Sequence, residues 1–372
     1  MASAKYFASQ PAFPNDLQPV AQIATVSLAK LVARDTGEAE AVLHACRTLG
    51  FFLLDLTGDP VGESLIAEVD AVFDVVRQTM KLSVDEKNKF AQDPPRDFRG
   101  YKAQGIMKTE TGAPDRCEFY NVSQDDLLGQ SSAPRTNPDP IAAHTQLLRS
   151  YLEHGQFALT HILRALATQL ELLPDTFRDL QAPNRASGTI MRLIRYAPSL
   201  TSADMRTGLL PHTDFGSVTL LANVLGGLQV LLPHSAPEDE NSWQWVRPQP
   251  GCLIVNMGDA MVEWTGGVLR SNMHRVNYAP GDQRYIDRYA IAMLVRPYKE
   301  APMSRLKGGR IPTVEDDKCE GVEIANDNAN SVGNLTAYEW ELTKAMSLKE
   351  GSDCARSRGG RQLKPKQVAV LC

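Results

Sequence analysis

The chain has 372 residues, 43% of them hydrophobic, enough for one large domain or two ordinary ones with a substantial core. A net charge of −5 and a pI of 5.9, with Lys and Arg scattered along the chain, leave no basic footprint for nucleic acid or an anionic membrane and point to a small-molecule substrate. The six cysteines are far apart with no CxxC pair, which argues against a disulfide framework or a thiolate zinc site.

Met1 to Asp16 has no continuous apolar core, and no apolar run reaches bilayer length. The expected setting is cytoplasmic, without membrane or obligate protein partner. Ile23 to Leu28 then reads as a short strand. Glu38 to Leu49 carries Val42, Leu43, Cys46 and Leu49 at helical spacing and is ended by Gly50. Phe51 to Leu56 is a buried strand. Leu65 to Met80 forms a second apolar helical stripe, and Ser83 with Glu86 has capping-box spacing. The Gly-, Pro- and polar-rich stretch 94–138 reads as an irregular segment packed across a site. Asp139 as N-cap and Pro140 at the first helical position open a long helix through Leu170.

Beyond Asn184 the period becomes strand-like. Thr189–Tyr196, Ser217–Asn223, Leu228–Leu232, Trp243–Arg247, Cys252–Asn256, His274–Tyr278 and Tyr289–Arg296 are short strands between Gly, Pro and Asp clusters. Such a series predicts a closed or double-sheet antiparallel architecture of the jelly-roll or cupin type. Gly266-Gly267 reads as a hairpin turn.

His212-Thr213-Asp214 carries the chemistry. Residues two apart on a strand share a face, so His212 and Asp214 both project one way while Thr213 points away. His274, at the start of a later strand, completes two imidazoles and one carboxylate, the facial set that holds a non-haem iron and leaves positions open. Zinc takes the same ligand types, but the chain has no helical H-E-x-x-H, and the ligands sit on strands. The bland alternative makes both histidines capping or core residues and Asp214 a turn residue.

Met191 to Pro198, His212-Thr213-Asp214, Asn256 to Asp259, Thr265 to Ser271, His274-Arg275-Val276 and Arg288 to Ala292 resemble, in order, the motifs of the isopenicillin N synthase-like family of 2-oxoglutarate and Fe(II)-dependent dioxygenases. The resemblance implies a mainly β fold with flanking helices: a double-stranded β-helix core behind an N-terminal helical segment. It implies Fe(II) on His212, Asp214 and His274, and 2-oxoglutarate anchored by Arg288, with a hydrogen bond from Tyr196. The expected division is 1–183 helical region, 184–300 core, 301–348 C-terminal lid or helix, and 349–372 flexible tail.

One departure stands out. The family's Arg-x-Ser pair is Arg288-x-Ala290 here, and the rival Arg284-Tyr285-Ile286 supplies no Ser either. By resemblance the reaction consumes O2, releases succinate and CO2, and hydroxylates, desaturates, cyclises or rearranges a small molecule of secondary metabolism, with ascorbate as a reductant. Arg99, Tyr101, Ile194 and Phe215 are candidate pocket residues, each with a plain packing or ion-pair alternative. Two other functions are an iron oxidase of the same fold without 2-oxoglutarate and a non-catalytic binding protein.

Overall fold

The computed structural model describes residues 5–109, 112–320, 322–323, 335–350 and 359–363. In chain order the strands are β1 (Thr25–Ser27), β2 (Phe51–Asp55), β3 (Gly100–Lys102), β4 (Cys117–Ser123), β5 (Ile190–Tyr196) and β6 (Leu209–His212). They are followed by β7 (Val218–Asn223), β8 (Leu228–Leu231), β9 (Trp243–Trp245), β10 (Cys252–Met257), β11 (His274–Val276) and β12 (Arg288–Val295). One sheet of eight has the order β1-β2-β10-β7-β12-β5-β4-β3, and a sheet of four has the order β6-β11-β8-β9. All pairings in these two sheets are antiparallel except β1 with β2. This is the jelly-roll core with flanking helices that the strand pattern predicts.

The two faces of the large sheet follow the period of two. One face, with Met191 and Leu193 of β5, Leu220 of β7 and Ile291 and Met293 of β12, is buried in a large apolar core. The helix stripes complete that core: Val72, Phe73 and Val76 from Pro60–Lys81, and Leu152, Leu159, Ile162 and Leu166 from Thr145–Gln169. The opposite face packs Phe119, Ile194, Tyr196, Ala290 and Ala292 against Leu228, Val230 and Val276 of the small sheet.

Local chemistry explains the helix boundaries. Asp59 accepts from the amides of Val61 and Gly62 with Pro60 in the first turn, and Ser83 with Glu86 closes a capping box. At the long helix the structure corrects the sequence reading. Extended Pro138 is the N-cap, a first turn spans Asp139–Ala142, and non-helical His144 separates it from Thr145–Gln169. Gly266 is not a hairpin residue: it ends the helix Asp259–Thr265 in the left-handed region at φ 55°.

The segment 94–138 is also more ordered than its composition suggests, because it supplies β3 and β4 to the edge of the large sheet. The first 183 residues thus contribute four strands to that sheet besides their helices. After the barrel, the helix Ala337–Glu350 returns to the core: Lys344 pairs with Asp259 and Glu341 with Arg296. Of the segment expected as a tail, Gln362–Leu363 pairs with Val322–Glu323, and Arg361 bonds Asp317. Residues 351–358 and 364–372 lie outside the described residues.

Candidate active site

His212 ends β6 and His274 begins β11, and the two are direct cross-strand partners with ring centroids 4.3 Å apart. Asp214 follows in the turn after β6. Its Oδ1 lies 3.8 Å from Nε2 of His212 and 3.9 Å from Nε2 of His274. One ligand atom from each residue therefore falls within 4.8 Å of the others. Thr213 points the other way, its hydroxyl 3.2 Å from Asp259.

The surrounding hydrogen bonds select which atoms remain free. Nδ1 of His212 lies 2.8 Å from the Leu210 carbonyl, and Nδ1 of His274 lies 3.1 Å from that of Asn272. A carbonyl only accepts, so each Nδ1 carries the proton and each Nε2 presents a lone pair. Oδ2 of Asp214 accepts from Thr219 (2.6 Å) and Asn256 (2.8 Å), which leaves Oδ1 for the centre. Burial, then the neighbouring His274, lowers the His212 pKa to about 4, so its imidazole is neutral at physiological pH. Burial acts to raise the Asp214 carboxyl, but the two imidazoles, Thr219 and Asn256 outweigh it and bring it to about 2.

The turn itself is locked from behind. The Asp259 amide donates to the Asp214 carbonyl at 2.7 Å, and the Gly258 amide donates to Ser217. A Cβ on Gly258 would stand 2.2 Å from the Gly216 carbonyl, so only glycine permits this approach. Asp259, 1% exposed, accepts from Ser271, Thr213 and Lys344 and so ties the turn to the C-terminal helix.

Further along the same inner face, Arg288 of β12 is in register with Tyr196 of β5. Its guanidinium carbon lies 4.9 Å from the Tyr196 ring centroid, and its Nε donates to Gly226 at 2.7 Å. Among the described residues no protein acceptor engages its terminal nitrogens, although the residue is only 3% exposed. A buried, forked cation with free donors fits a carboxylate. Arg284, the rival, bonds the Tyr285 hydroxyl and lies outside the strand. Ala290, two residues on, is buried between Ile194 and Asn223 and offers no hydroxyl.

Comparison with known proteins agrees with this geometry. Residues 19–143 match the N-terminal family described as non-haem dioxygenase in morphine synthesis, and residues 188–297 match the 2OG-Fe(II) oxygenase superfamily. A 2-oxoglutarate-dependent dioxygenase of Aspergillus fumigatus is 32% identical over 88% of this chain and 86% of its own length. The chain belongs to the 2OG-Fe(II) oxygenases. A second relative of this family, from a Dothideomycetidae species, is 34% identical over 81% of this chain and 89% of its own. The fold of this oxygenase is shared with a full-length Neurospora crassa protein crystallised in complex with alpha-KG: TM-score 0.70, 22% identity, 87% of this chain and 96% of that one. A Caulobacter crescentus protein of the 2OG-Fe(II) oxygenase family gives 0.69 at 24% identity over 88% and 100%. The enzyme is therefore an Fe(II)- and 2-oxoglutarate-dependent dioxygenase that acts on a small molecule.

The four candidate pocket residues of the oxygenase have different fates. Ile194 faces the barrel interior between Phe119 and Ala290, and Phe215 follows Asp214 beneath the Arg296 guanidinium at 4.5 Å. Arg99 lines a cavity of about 300 Å³, which Phe98 and Arg296 also border, but its charge is held by Asp97 (3.0 Å) and Asp126 (3.3 Å). Tyr101 is not brought to the triad. It lies on the helix-facing side of the sheet, its hydroxyl 2.5 Å from Glu118, which also holds Lys87 and Arg195. Sequence reasoning gave no role to Arg192, Thr219 or Asn256. The alternation Arg192, Ile194, Tyr196 was the available signal for the first; the other two required the fold.

Proposed function

We propose that His212, Asp214 and His274 hold the ferrous ion, that Arg288 with Tyr196 receives the distal carboxylate of 2-oxoglutarate, and that the enzyme oxidises a small metabolite of secondary metabolism. The observation that carries this reading is the convergence of two Nε2 lone pairs and one Oδ1 whose companion atoms are all engaged by the protein. Iron bound there supplies oxygen activation coupled to conversion of 2-oxoglutarate to succinate and CO2. The chain's own residues fix the ligand tautomers, hold the Asp214 turn and present a buried cation to the co-substrate. Hydroxylation is the default outcome, with desaturation, cyclisation or rearrangement set by how the substrate lies. The substrate reaches the barrel mouth past Phe215 and the segment 95–99. The free thiols Cys46, Cys117, Cys252 and Cys319 support a reducing, cytoplasmic setting, and neither charge nor composition calls for nucleic acid, membrane or a protein partner.

Ala290 favours a second reading, an iron oxidase of the same fold that takes its electrons from the substrate or from ascorbate. The test is succinate release by anaerobically iron-loaded protein given oxygen, ascorbate and 2-oxoglutarate, against a small-molecule panel. Wild type is expected to release succinate, His212→Ala to release none and to lose stoichiometric iron, and Arg288→Gln to need far more 2-oxoglutarate. Oxidation of a panel compound without succinate would replace the first reading by the second, and full iron binding by His212→Ala would remove the ligand assignment.

A further inference from the structure

Two arginines project from the large sheet into the space between the sheets without an ion-pair partner among the described residues: Arg288, described above, and Arg192 of β5. Arg192 shares a face with Ile194 and Tyr196, and its cross-strand neighbours are Asn121 of β4 and Ala292 of β12. Its Nε donates to Asn121 Oδ1 at 2.9 Å, and its guanidinium carbon lies 4.1 Å from the Phe119 ring centroid. Stacking on an aromatic face and one anchored nitrogen fix the plane of the fork. The terminal nitrogens have no protein acceptor among the described residues, and the residue is not fully buried. Arg296, the nearby cation, is matched by Glu341.

Position decides which ligand Arg192 serves. Its partner Ala292 lies two residues before Leu294, which pairs with Thr219, the residue whose hydroxyl holds Asp214, whereas Arg288 pairs with Tyr196 at the other end of β12. Arg192 therefore stands beside the triad. The two arginines' places on β5, at residues 192 and 196, are about 13 Å apart along the strand. A co-substrate carboxylate held at Arg288 would leave Arg192 unmatched. Burial, then Arg296, brings the Arg192 pKa down to about 10, which still leaves it charged at neutral pH. The surroundings are Phe119, Ile194 and the small Ala292, which set the charge in an apolar environment.

We propose that Arg192 is the specificity residue for the organic substrate, and that this substrate is a small molecule with an apolar body and a carboxylate held by the Arg192 fork beside the metal. The inference rests on the reading above, in which Arg288 takes the co-substrate.

The experiment measures binding as well as turnover. A panel of small aromatic and aliphatic monocarboxylates, each paired with its methyl ester, is titrated by ligand-observed NMR against protein loaded with Zn(II) and 2-oxoglutarate. The proteins are wild type, Arg192→Gln, Arg192→Lys and Arg288→Gln. At least one acid is expected to bind wild type about ten-fold or more tightly than its ester, the effect of losing a charge-assisted hydrogen bond. That preference should vanish in Arg192→Gln and persist in part in Arg192→Lys, while 2-oxoglutarate affinity stays unchanged in both; that affinity also shows that the variants are folded. Esters that bind as well as acids, a panel in which no acid binds at millimolar concentration, or a preference that survives Arg192→Gln would each overturn the proposal. If Arg192→Gln loses 2-oxoglutarate while Arg288→Gln keeps it, the two arginines have exchanged roles and the proposal also falls. If wild type does not bind 2-oxoglutarate at all, the underlying reading fails, and the acid–ester comparison on Zn(II)-loaded protein still decides the role of Arg192.

Discussion

The two faces of the eight-stranded sheet are built from the same strands and do opposite work. Along β5, Met191 and Leu193 face the helices, while Arg192, Ile194 and Tyr196 face the small sheet. Along β7, Val218, Leu220 and Ala222 alternate with Thr219, Leu221 and Asn223, and along β12, Ile291 and Met293 alternate with Ala290 and Ala292. The helix-facing side of these three strands is apolar over most of its length. The inner side is interrupted by polar groups: Thr219 and Asn223, which bond Asp214 and the Leu225 carbonyl, and Arg192 and Arg288, whose terminal nitrogens are left for water or a ligand. A strand costs nothing extra to serve both tasks, because its period of two sends neighbours to different environments. The consequence is that stability and chemistry should be separable by substitutions one residue apart.

The strongest challenge to that separation is Leu220→Ala. Leu220 is 1% exposed in the helix-facing core, so its truncation should cost about 2–5 kcal/mol of stability, depending on how far the site collapses. Urea unfolding of the metal-free protein measures it. The folded fraction should keep one iron per chain and an unchanged KM for 2-oxoglutarate. A folded variant that loses iron would mean that the two faces are not independent.

Asn256→Ala should do the reverse with a smaller effect. It removes one of the two donors on Asp214 Oδ2 and leaves Thr219 as the other. Loss of an outer-shell partner costs about 10–100-fold in metal affinity. An anaerobic Fe(II) titration reads this directly, with little change in the urea midpoint. An unchanged affinity would show that Thr219 alone orients the carboxylate.

How much of this was legible in the sequence follows the same division. The strand alternation after Asn184 and the His212, Asp214, His274 set could be read because period and residue type are both local. β4 could not: Cys117 to Ser123 is buried on both faces, and its Glu118 is neutralised by Lys87 and Arg195 from elsewhere in the chain. A charged residue in a Pro- and Gly-rich stretch reads as loop until its distant partners are known. The ion pairs of Arg99 could not be assigned for the related reason that its acids, Asp97 and Asp126, include one far along the chain. Gly266-Gly267 read as a hairpin because the pair is a turn signal, yet Ala260, Met261 and Trp264 before it are buried and hold a helix together. Arg192 lay within a motif already singled out, and only the alternation from Tyr196 was left unused.

The smallest effect is expected at Ala290, where the inner face departs from its family. Ala290 lies on the same side of β12 as Arg288, two residues and about 7 Å along the strand, between Ile194 and Asn223. A serine there would place a hydroxyl beside the free nitrogens of Arg288, in the position where a carboxylate oxygen bound to that guanidinium would accept it. One neutral hydrogen bond contributes about 0.5–1.5 kcal/mol, so Ala290→Ser should tighten 2-oxoglutarate several-fold and leave Fe(II) affinity alone. A hydroxyl buried without an acceptor would instead cost stability, because the site is 1% exposed. Titration of 2-oxoglutarate into metal-loaded wild type and variant therefore discriminates by sign. Tighter binding means that a carboxylate already sits at Arg288 and the enzyme works with one donor fewer. Unchanged or weaker binding with lower stability means that no carboxylate comes within reach of residue 290.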